Sequence, residues 1–487
     1  MSSDRWAKLD PADAESFARI SLESAALGSC LAAARSAQYL AEWCRSALHR
    51  SHLVAVAAWL TRSLHATQAD LRSLGLPVDV LVAFPHWQDG RRDGFRPASL
   101  GLCPAPGGAM APIRAMRLQL SPLGSAIPFA LMLIQGFAQR MMSDTRLFVV
   151  MEPTADLAAF GQLTVDLLGA RAERVVPVRM STATLFAQDN GRAMRDGDGA
   201  PVLAVPRAFS AGHSREADAI DPAVADVFGQ PVTATRTHWE GGNVISDTTR
   251  IFVGADTLAV NRALLGLTEE EVLTLLEADF GAPVTVLGAA GVAPAVDPAT
   301  GIVTVSGQAA YHLDLDFALL GAVPGRTRPV FLIADPAEGL ELLPQVLQVD
   351  RLFDFHFVAP HRARALIAAE YELAARARHP VLVHDCELLE TLGYDVVGLP
   401  DLRVDLHHNV FATTNLNFGY CNVLPALDGG RPTVFHLPWG IDPIDRTALV
   451  RIAELGVRVV AVADDPRVAG ALMQMWGGLH CFSGSLR

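Results

Sequence analysis

From Pro77 onward the chain alternates short apolar runs with segments of helical periodicity, and that texture restricts it to an α/β architecture. Val78–Phe84, Arg114–Leu120, Arg146–Met151 and Arg174–Val178 read as strands, whereas Phe129–Met142 and Ala155–Leu168 carry apolar residues at helix spacing. The alternation recurs through Trp239–Val253, Glu269–Phe280, Val284–Leu287, Pro329–Ile333, Val381–His384, Asn409–Thr414, Thr433–His436 and Val457–Ala463. Trp239–Val253 is expected to be one apolar strand entered from a glycine pair, and Val381–His384 a short buried strand. Gly and Pro punctuate the joins, which predicts mixed strand pairing. The Gly-, Pro- and Arg-rich stretch His86–Gly108 is the best candidate for a loop or linker.

The residues before Pro77 differ. Asp13–His49 is rich in Ala, Leu and Ser, and a second helical pattern runs from His52 to Leu74, where Gly75 and Pro77 stop it. A helical hairpin is expected there, serving as packing appendage, lid or oligomer contact. The chain therefore divides into an accessory helical region, 1–110, and an α/β domain, 111–487. With 51% hydrophobic and 19% charged residues over 487 positions, a large core is affordable and a disordered chain is excluded.

Partners are narrowed by charge. Lys+Arg total 39 against 52 Asp+Glu, a formal net charge of -13 that suits a cationic ligand better than a phosphate backbone. Neither a GxGxxG turn nor a Walker loop occurs, which argues against a nucleotide enzyme. Apolar stretches such as Leu53–Leu60 and Ala126–Ala138 are too short to span a bilayer. Six cysteines are scattered without CxxC spacing, and the N-terminus lacks a signal-peptide profile. We expect a cytoplasmic protein with no membrane or nucleic-acid partner, no cofactor and no metal. His356, His361, His407 and His408 show no ligand spacing.

Four short segments carry chemistry. Gly477-Gly478-Leu479-His480-Cys481 places a cysteine beside glycines that would let a substrate approach closely, although a single cysteine is ordinarily a packing residue. Were the segment extended, His480 would point away from the thiol, so a base would come from elsewhere. In Ala310–Gly321, a strand would place His312 and Asp314, and Asp316 if it continued, on one face suited to acid–base work. Glu240-Gly241-Gly242-Asn243 would let backbone pack closely while Glu240 enters a cavity, and alone it reads as a turn with a solvated acid. Asp189-Asn190-Gly191, alone, is a turn.

Taken in order, these segments resemble the guanidino-group-modifying enzymes of the pentein fold, with the nearest likeness to agmatine deiminases and bacterial peptidylarginine deiminases. Asp189 in FAQDNGR resembles the family's early aspartate, Glu240 its EGGx glutamate, His312 and Asp314 its HxD pair, and Cys481 its GGxHC cysteine. Ala259–Gly288 and Asn417–Pro425 are similar to two supporting runs, the second containing the family's Tyr-x-Asn strand. The likeness covers roughly 146–487. Gln188 and Arg192 depart from the family's usual Arg and Pro, and the usual tail after the cysteine is missing.

The resemblance implies a five-bladed α/β propeller of ββαβ units, here with an N-terminal helical extension. It also implies that Asp189 and Asp314 grip a guanidinium, which is planar and always charged, in bidentate fashion. Cys481 would attack the guanidinium carbon, His312 would protonate the departing amine and then activate water, and Glu240 would orient His312. The implied activity is an iminohydrolase acting on agmatine, arginine or a small or peptidyl arginine derivative. Two alternatives stay open, an amidinotransferase with an amine in place of water and a non-catalytic pentein binding module. Arg192, Arg195 and Arg207 are candidates for a substrate carboxylate, and homo-oligomerisation is open.

Overall fold

The computed structural model describes residues 97–486, apart from 121–126, 142–143, 152–154, 181–185, 208–226, 297–302, 350–363, 404–417 and 475–476. The expected N-terminal hairpin, the strands at Val78–Phe84 and Asn409–Thr414, and His356, His361, His407 and His408 lie outside the described residues. Nineteen strands are seen among the described residues, in one mixed α/β arrangement of separate small sheets.

Five of the sheets share one plan, in which a first strand runs antiparallel to a second and the second runs parallel to a third. In the first, β5 (Arg192–Arg195), β6 (Pro201–Val205) and β7 (Val232–Ala234) follow it, with β1 (Cys103–Pro104) added on β5. In the second, β8 (Val244–Ser246) pairs antiparallel with β9 (Ile251–Gly254), which lies parallel to β10 (Val284–Leu287). The third is β13 (Phe317–Gly321), β14 (Val330–Asp335) and β15 (Asp395–Pro400), and the fourth β16 (Leu424–Asp428), β17 (Arg431–His436) and β18 (Arg458–Ala461). The fifth joins distant parts of the chain. Its first strand, β19 (Gly484–Leu486), pairs antiparallel with β2 (Ala115–Gln119), which continues in parallel to β3 (Arg146–Met151) and β4 (Val175–Arg179). A small hairpin, β11 (Ala295–Val296) with β12 (Val303–Val305), stands apart.

Helices supply the crossovers that parallel neighbours require. Ile127–Arg140 links β2 to β3, Ala255–Leu265 and Glu269–Phe280 link β9 to β10, and Asp442–Glu454 links β17 to β18. Local sequence sets their ends: Thr268 and Glu271 form a reciprocal capping box, and Gly281 closes the same helix in the left-handed conformation. The largest apolar cluster threads β2, β3, β13, β14, β16 and β17 together, with Met116, Phe331 and Phe435 fully buried. Among the described residues, no helix is long and apolar enough to cross a membrane.

Two strand expectations give way. Trp239–Val253 is a 3-10 turn (Gly241–Asn243) followed by a hairpin, because the Asp247 carboxylate accepts from the Thr249 and Arg250 amides and turns the chain between β8 and β9. Val381–His384 lies inside the 28-residue helix Arg364–Thr391, whose length overrides a four-residue apolar run. In the expected loop, residues 97–108 are irregular apart from β1, yet Leu100 and Leu102 pack on the Trp239 and Phe280 cluster.

Candidate active site

All five first strands begin just after a segment that delivers polar side chains to one place. The turn at Ala187–Asn190 precedes β5 and carries Asp189. Glu240 and the turn Gly241–Asn243 precede β8. His312 and the short helical turn Leu313–Asp316 precede β13, Asn422 precedes β16, and the turn Leu479–Phe482 with Cys481 precedes β19. Hydrogen bonds tie the five segments in a circuit. Gln188 N donates to the Cys481 carbonyl (3.0 Å), Gly242 N to Asp189 Oδ1 (3.2 Å) and Leu313 N to Asn243 Oδ1 (3.2 Å). Asn422 Nδ2 donates to the Asp314 carbonyl (3.2 Å), and its Oδ1 accepts from His480 N (2.7 Å).

The five residues singled out from the sequence are all buried: Asp189, Glu240, His312, Asp314 and Cys481. His312 Nε2 lies 2.6 Å from Glu240 Oε2, and its Nδ1 is 3.9 Å from Asp189 Oδ1. The Cys481 thiol donates to Asp314 Oδ2 (3.2 Å), while Asn422 Nδ2 donates to its sulfur (3.1 Å). His480 Nδ1 is 2.8 Å from Asp314 Oδ2, so both members of the His-Cys dipeptide reach the same carboxyl.

Electrostatics separates the thiol from the imidazole. Burial pushes the Cys481 thiol up to about 12, and the neighbouring Asp314 adds to the effect. Burial opposes a charged His312, but Asp189 first, then hydrogen bonds to Cys481 and Glu240, outweigh it and hold the ring well above its ordinary value. The resting arrangement is therefore a thiol beside a protonated imidazole. One donor atom each of His312, Asp314 and Cys481 lies within 4.8 Å of the others, a spacing compatible with a metal ion. Glu240 lies against the imidazole of this trio, and Asn422 donates to its sulfur.

The local conformations differ from the strand expected. His312 is extended, but Asp314 sits in a helical turn, so the two converge through that turn rather than through strand alternation. Asp316 faces away and pairs with Arg378 and Arg403. Cys481 is also on a helical turn. The glycines before it make room for protein: a Cβ at Gly477 would lie 2.3 Å from the Phe186 ring, and one at Gly478 2.5 Å from Asn422 Oδ1. Likewise a Cβ at Gly241 would fall 1.9 Å from the Gln188 carbonyl oxygen, and one at Gly242 2.4 Å from His312 Nδ1, so this pair does let the backbone pack tightly.

Two residues near the site carried no role in the sequence reading. Arg117, buried on β2, donates to Asn190 Oδ1 (2.6 Å) and to the Ala187 and Gly191 carbonyls (2.8 and 3.1 Å), fastening the turn that bears Asp189. Burial lowers its guanidinium to about 9. A lone Arg in an apolar strand gives no sequence signal of such a role. Asn422 was visible as the asparagine of the Tyr-x-Asn run, with no role attached. Of the arginines considered for a substrate carboxylate, Arg192 is anchored to the Val244 carbonyl and the Ser246 hydroxyl. Behind the site, a cleft of about 650 Å³ open to solvent is lined by one strand from each of the five sheets, including Ala193, Ser246, Leu319, Pro425 and Ser485. Asp314 and His480 border it.

No protein-family model matches this chain, and no curated protein matches it. Solved structures do. A protein described as an agmatine deiminase aligns with a TM-score of 0.49 at 13% identity over 82% of this chain and 99% of its own. The agmatine deiminase of C. jejuni gives 0.47 at 12% over 79% and 96%. DDAH from Pseudomonas aeruginosa gives 0.35 at 13% over 77% and 100%.

Proposed function

We propose that the protein is a guanidine deiminase that hydrolyses agmatine, arginine or an arginine derivative to a ureido product and ammonia. One observation carries the reading: a buried thiol lies against Asp314, beside an imidazole that Glu240 bonds and Asp189 approaches. A buried cluster of three carboxyl side chains favours a cation, and a planar guanidinium can meet Asp189 and Asp314 edge-on with paired N–H donors. We also propose that the five sheets are the blades of a pentein propeller around one axis. Support comes from the cleft that a first strand of each sheet lines.

The chemistry balances on this chain's own groups. A cation seated on Asp189 and Asp314 offsets the carboxyl charge that holds the thiol protonated, so the Cys481 proton leaves to solvent and a thiolate forms beside the protonated His312. The sulfur then bonds to the guanidinium carbon. His312 gives its proton to one nitrogen, and ammonia leaves as its C–N bond breaks, giving a thiouronium on Cys481. His312, now neutral, takes a proton from water whose oxygen bonds to the same carbon. The C–S bond breaks and the hydroxyl proton passes to solvent, releasing the neutral ureido product and leaving the thiolate beside a protonated His312 as before. Glu240 keeps the imidazole oriented throughout.

The test is an ammonia assay over arginine, agmatine, methylated arginines, guanidino acids and arginyl peptides. One ammonia and one ureido product per turnover are expected, with rates lower by at least about 100-fold in Cys481→Ala and His312→Ala. Transfer of the amidino group to an added amine without ammonia release, or no turnover of any guanidine, would overturn the reading.

A further inference from the structure

We propose that Arg117 is a positioning residue, whose guanidinium clamps the turn that bears Asp189 and so fixes that carboxylate against His312 and Cys481. The clamp stands on the structure, and its bearing on guanidine binding rests on the deiminase reading above.

Asp189 lies inside the clamp. Arg117 Nη1 donates to Asn190 Oδ1 (2.6 Å), and Nη2 donates to the carbonyls of Ala187 (2.8 Å) and Gly191 (3.1 Å), so its acceptors stand on both sides of Asp189. Ala187, Asp189, Asn190 and Gly191 are all buried, and buried carbonyls need donors from the protein. A guanidinium presents its N–H groups in a rigid planar fork, which spans acceptors that a single ammonium nitrogen cannot reach together. The opposite strand makes room for it. Gly484 pairs with Arg117 between β19 and β2, and a Cβ there would lie 2.8 Å from Arg117 Nη2. One side chain thus meets both the Asp189 turn and the strand that follows Cys481.

From this turn Asp189 reaches the rest of the site. Its carbonyl accepts from Gly241 N (3.3 Å) and its Oδ1 from Gly242 N (3.2 Å), while Gln188 N donates to the Cys481 carbonyl. His312 faces Asp189 from the turn before β5, Glu240 from the segment before β8 and Cys481 from the turn before β19, with Asp314 on the turn that follows it. Burial opposes a charged ring, and among the groups that favour one Asp189 acts most strongly. Arg117 is itself a cation, so its charge alone would disfavour a protonated imidazole. The two effects have opposite signs. Deleting the arginine raises the His312 midpoint if only its charge acts, and lowers it if the arginine acts by holding Asp189.

The measurement is the titration of the His312 imidazole in the free protein, followed by NMR on isotope-labelled histidine and assigned by the signal lost in His312→Gln. Arg117→Met and Arg117→Lys are expected to lower the midpoint by about one pH unit or more, the scale of an opposite charge drawn away from a titrating group. Asn190→Ala removes one acceptor and leaves the arginine's charge in place. It is expected to shift the midpoint in the same direction, and it decides the matter if the arginine variants do not fold. In the deiminase assay Arg117→Lys should raise KM at least about tenfold with a smaller change in kcat, as for a loosened contact to a charged group. A midpoint at or above the parent's in Arg117→Met that melts like the parent, or the parent's midpoint in Asn190→Ala, overturns the proposal. A guanidine panel that the parent does not turn over sinks the deiminase reading instead, and leaves the titration readable.

Discussion

A thiol held at about 12 is almost entirely protonated at neutral pH, so on the deiminase reading the free protein keeps its nucleophile in the unreactive form. The thiolate fraction grows as pH rises toward that value. Iodoacetamide modification of Cys481 is therefore expected to accelerate about tenfold per pH unit from 7 to 10 without levelling, since that range lies wholly below the midpoint. A plateau between pH 7 and 8 would show a thiolate already formed beside His312, contrary to this expectation. Single residues were also the most legible part of the sequence. Asp189, Glu240, His312, Asp314 and Cys481 sit in short polar or glycine-marked motifs, and the fold brings all five together. Arg117 and Asn422 sit in apolar runs, and their partners lie 73 and 58 positions away, at Asn190 and His480. No local pattern encodes such contacts.

At the scale of elements, turns set the site more than strands do. Strand alternation would place His312 and Asp314 on one face, whereas a helical turn of four residues, Leu313–Asp316, brings Asp314 against Cys481 and turns Asp316 into the buried pairs with Arg378 and Arg403. Period two could not reveal this, because the segment is too short to show a helical period. The Asx turn at Asp247 was missed for a related reason, since apolar residues on both sides of it masked the break. The 3-10 turn Gly241–Asn243 is the tightest of these elements. A Cβ at Gly241 meets backbone, the Gln188 carbonyl, which cannot rotate aside as a side chain can. Gly241→Ala is expected to separate the Asp189 and Glu240 segments, lowering the melting temperature and reducing deiminase activity at least about tenfold. Unchanged melting and activity would mean that the turn tolerates the extra carbon by shifting as a unit.

Across the whole molecule, a buried four-charge network ties the segments just before and just after the third sheet to the helix Arg364–Thr391. Arg378 on that helix bonds Asp316 and Asp401, and Arg403 bonds the same two carboxylates, all four being nearly inaccessible to solvent. The arginines hold Asp316 below the usual carboxylate range despite its burial. Removing one partner leaves an uncompensated buried charge, so Arg378→Ala is expected to destabilise the protein by about 3–5 kcal/mol in chemical denaturation. A loss under about 1 kcal/mol would show that water reaches the network. The sign with pH also follows: because Asp316 titrates lower when folded, its contribution is present above the unfolded carboxylate pKa and is lost as pH falls through the folded one.

The pairing of β19 with β2 has a temporal consequence. Gly484–Leu486 completes the sheet begun at Ala115–Gln119, and Cys481 stands directly before it. The ribosome makes the four carboxyl and imidazole residues of the cluster before it makes the thiol. On the deiminase reading, a chain that stops before Cys481 carries Asp189, Glu240, His312 and Asp314 without the proposed nucleophile, and it also lacks the strand that completes this sheet.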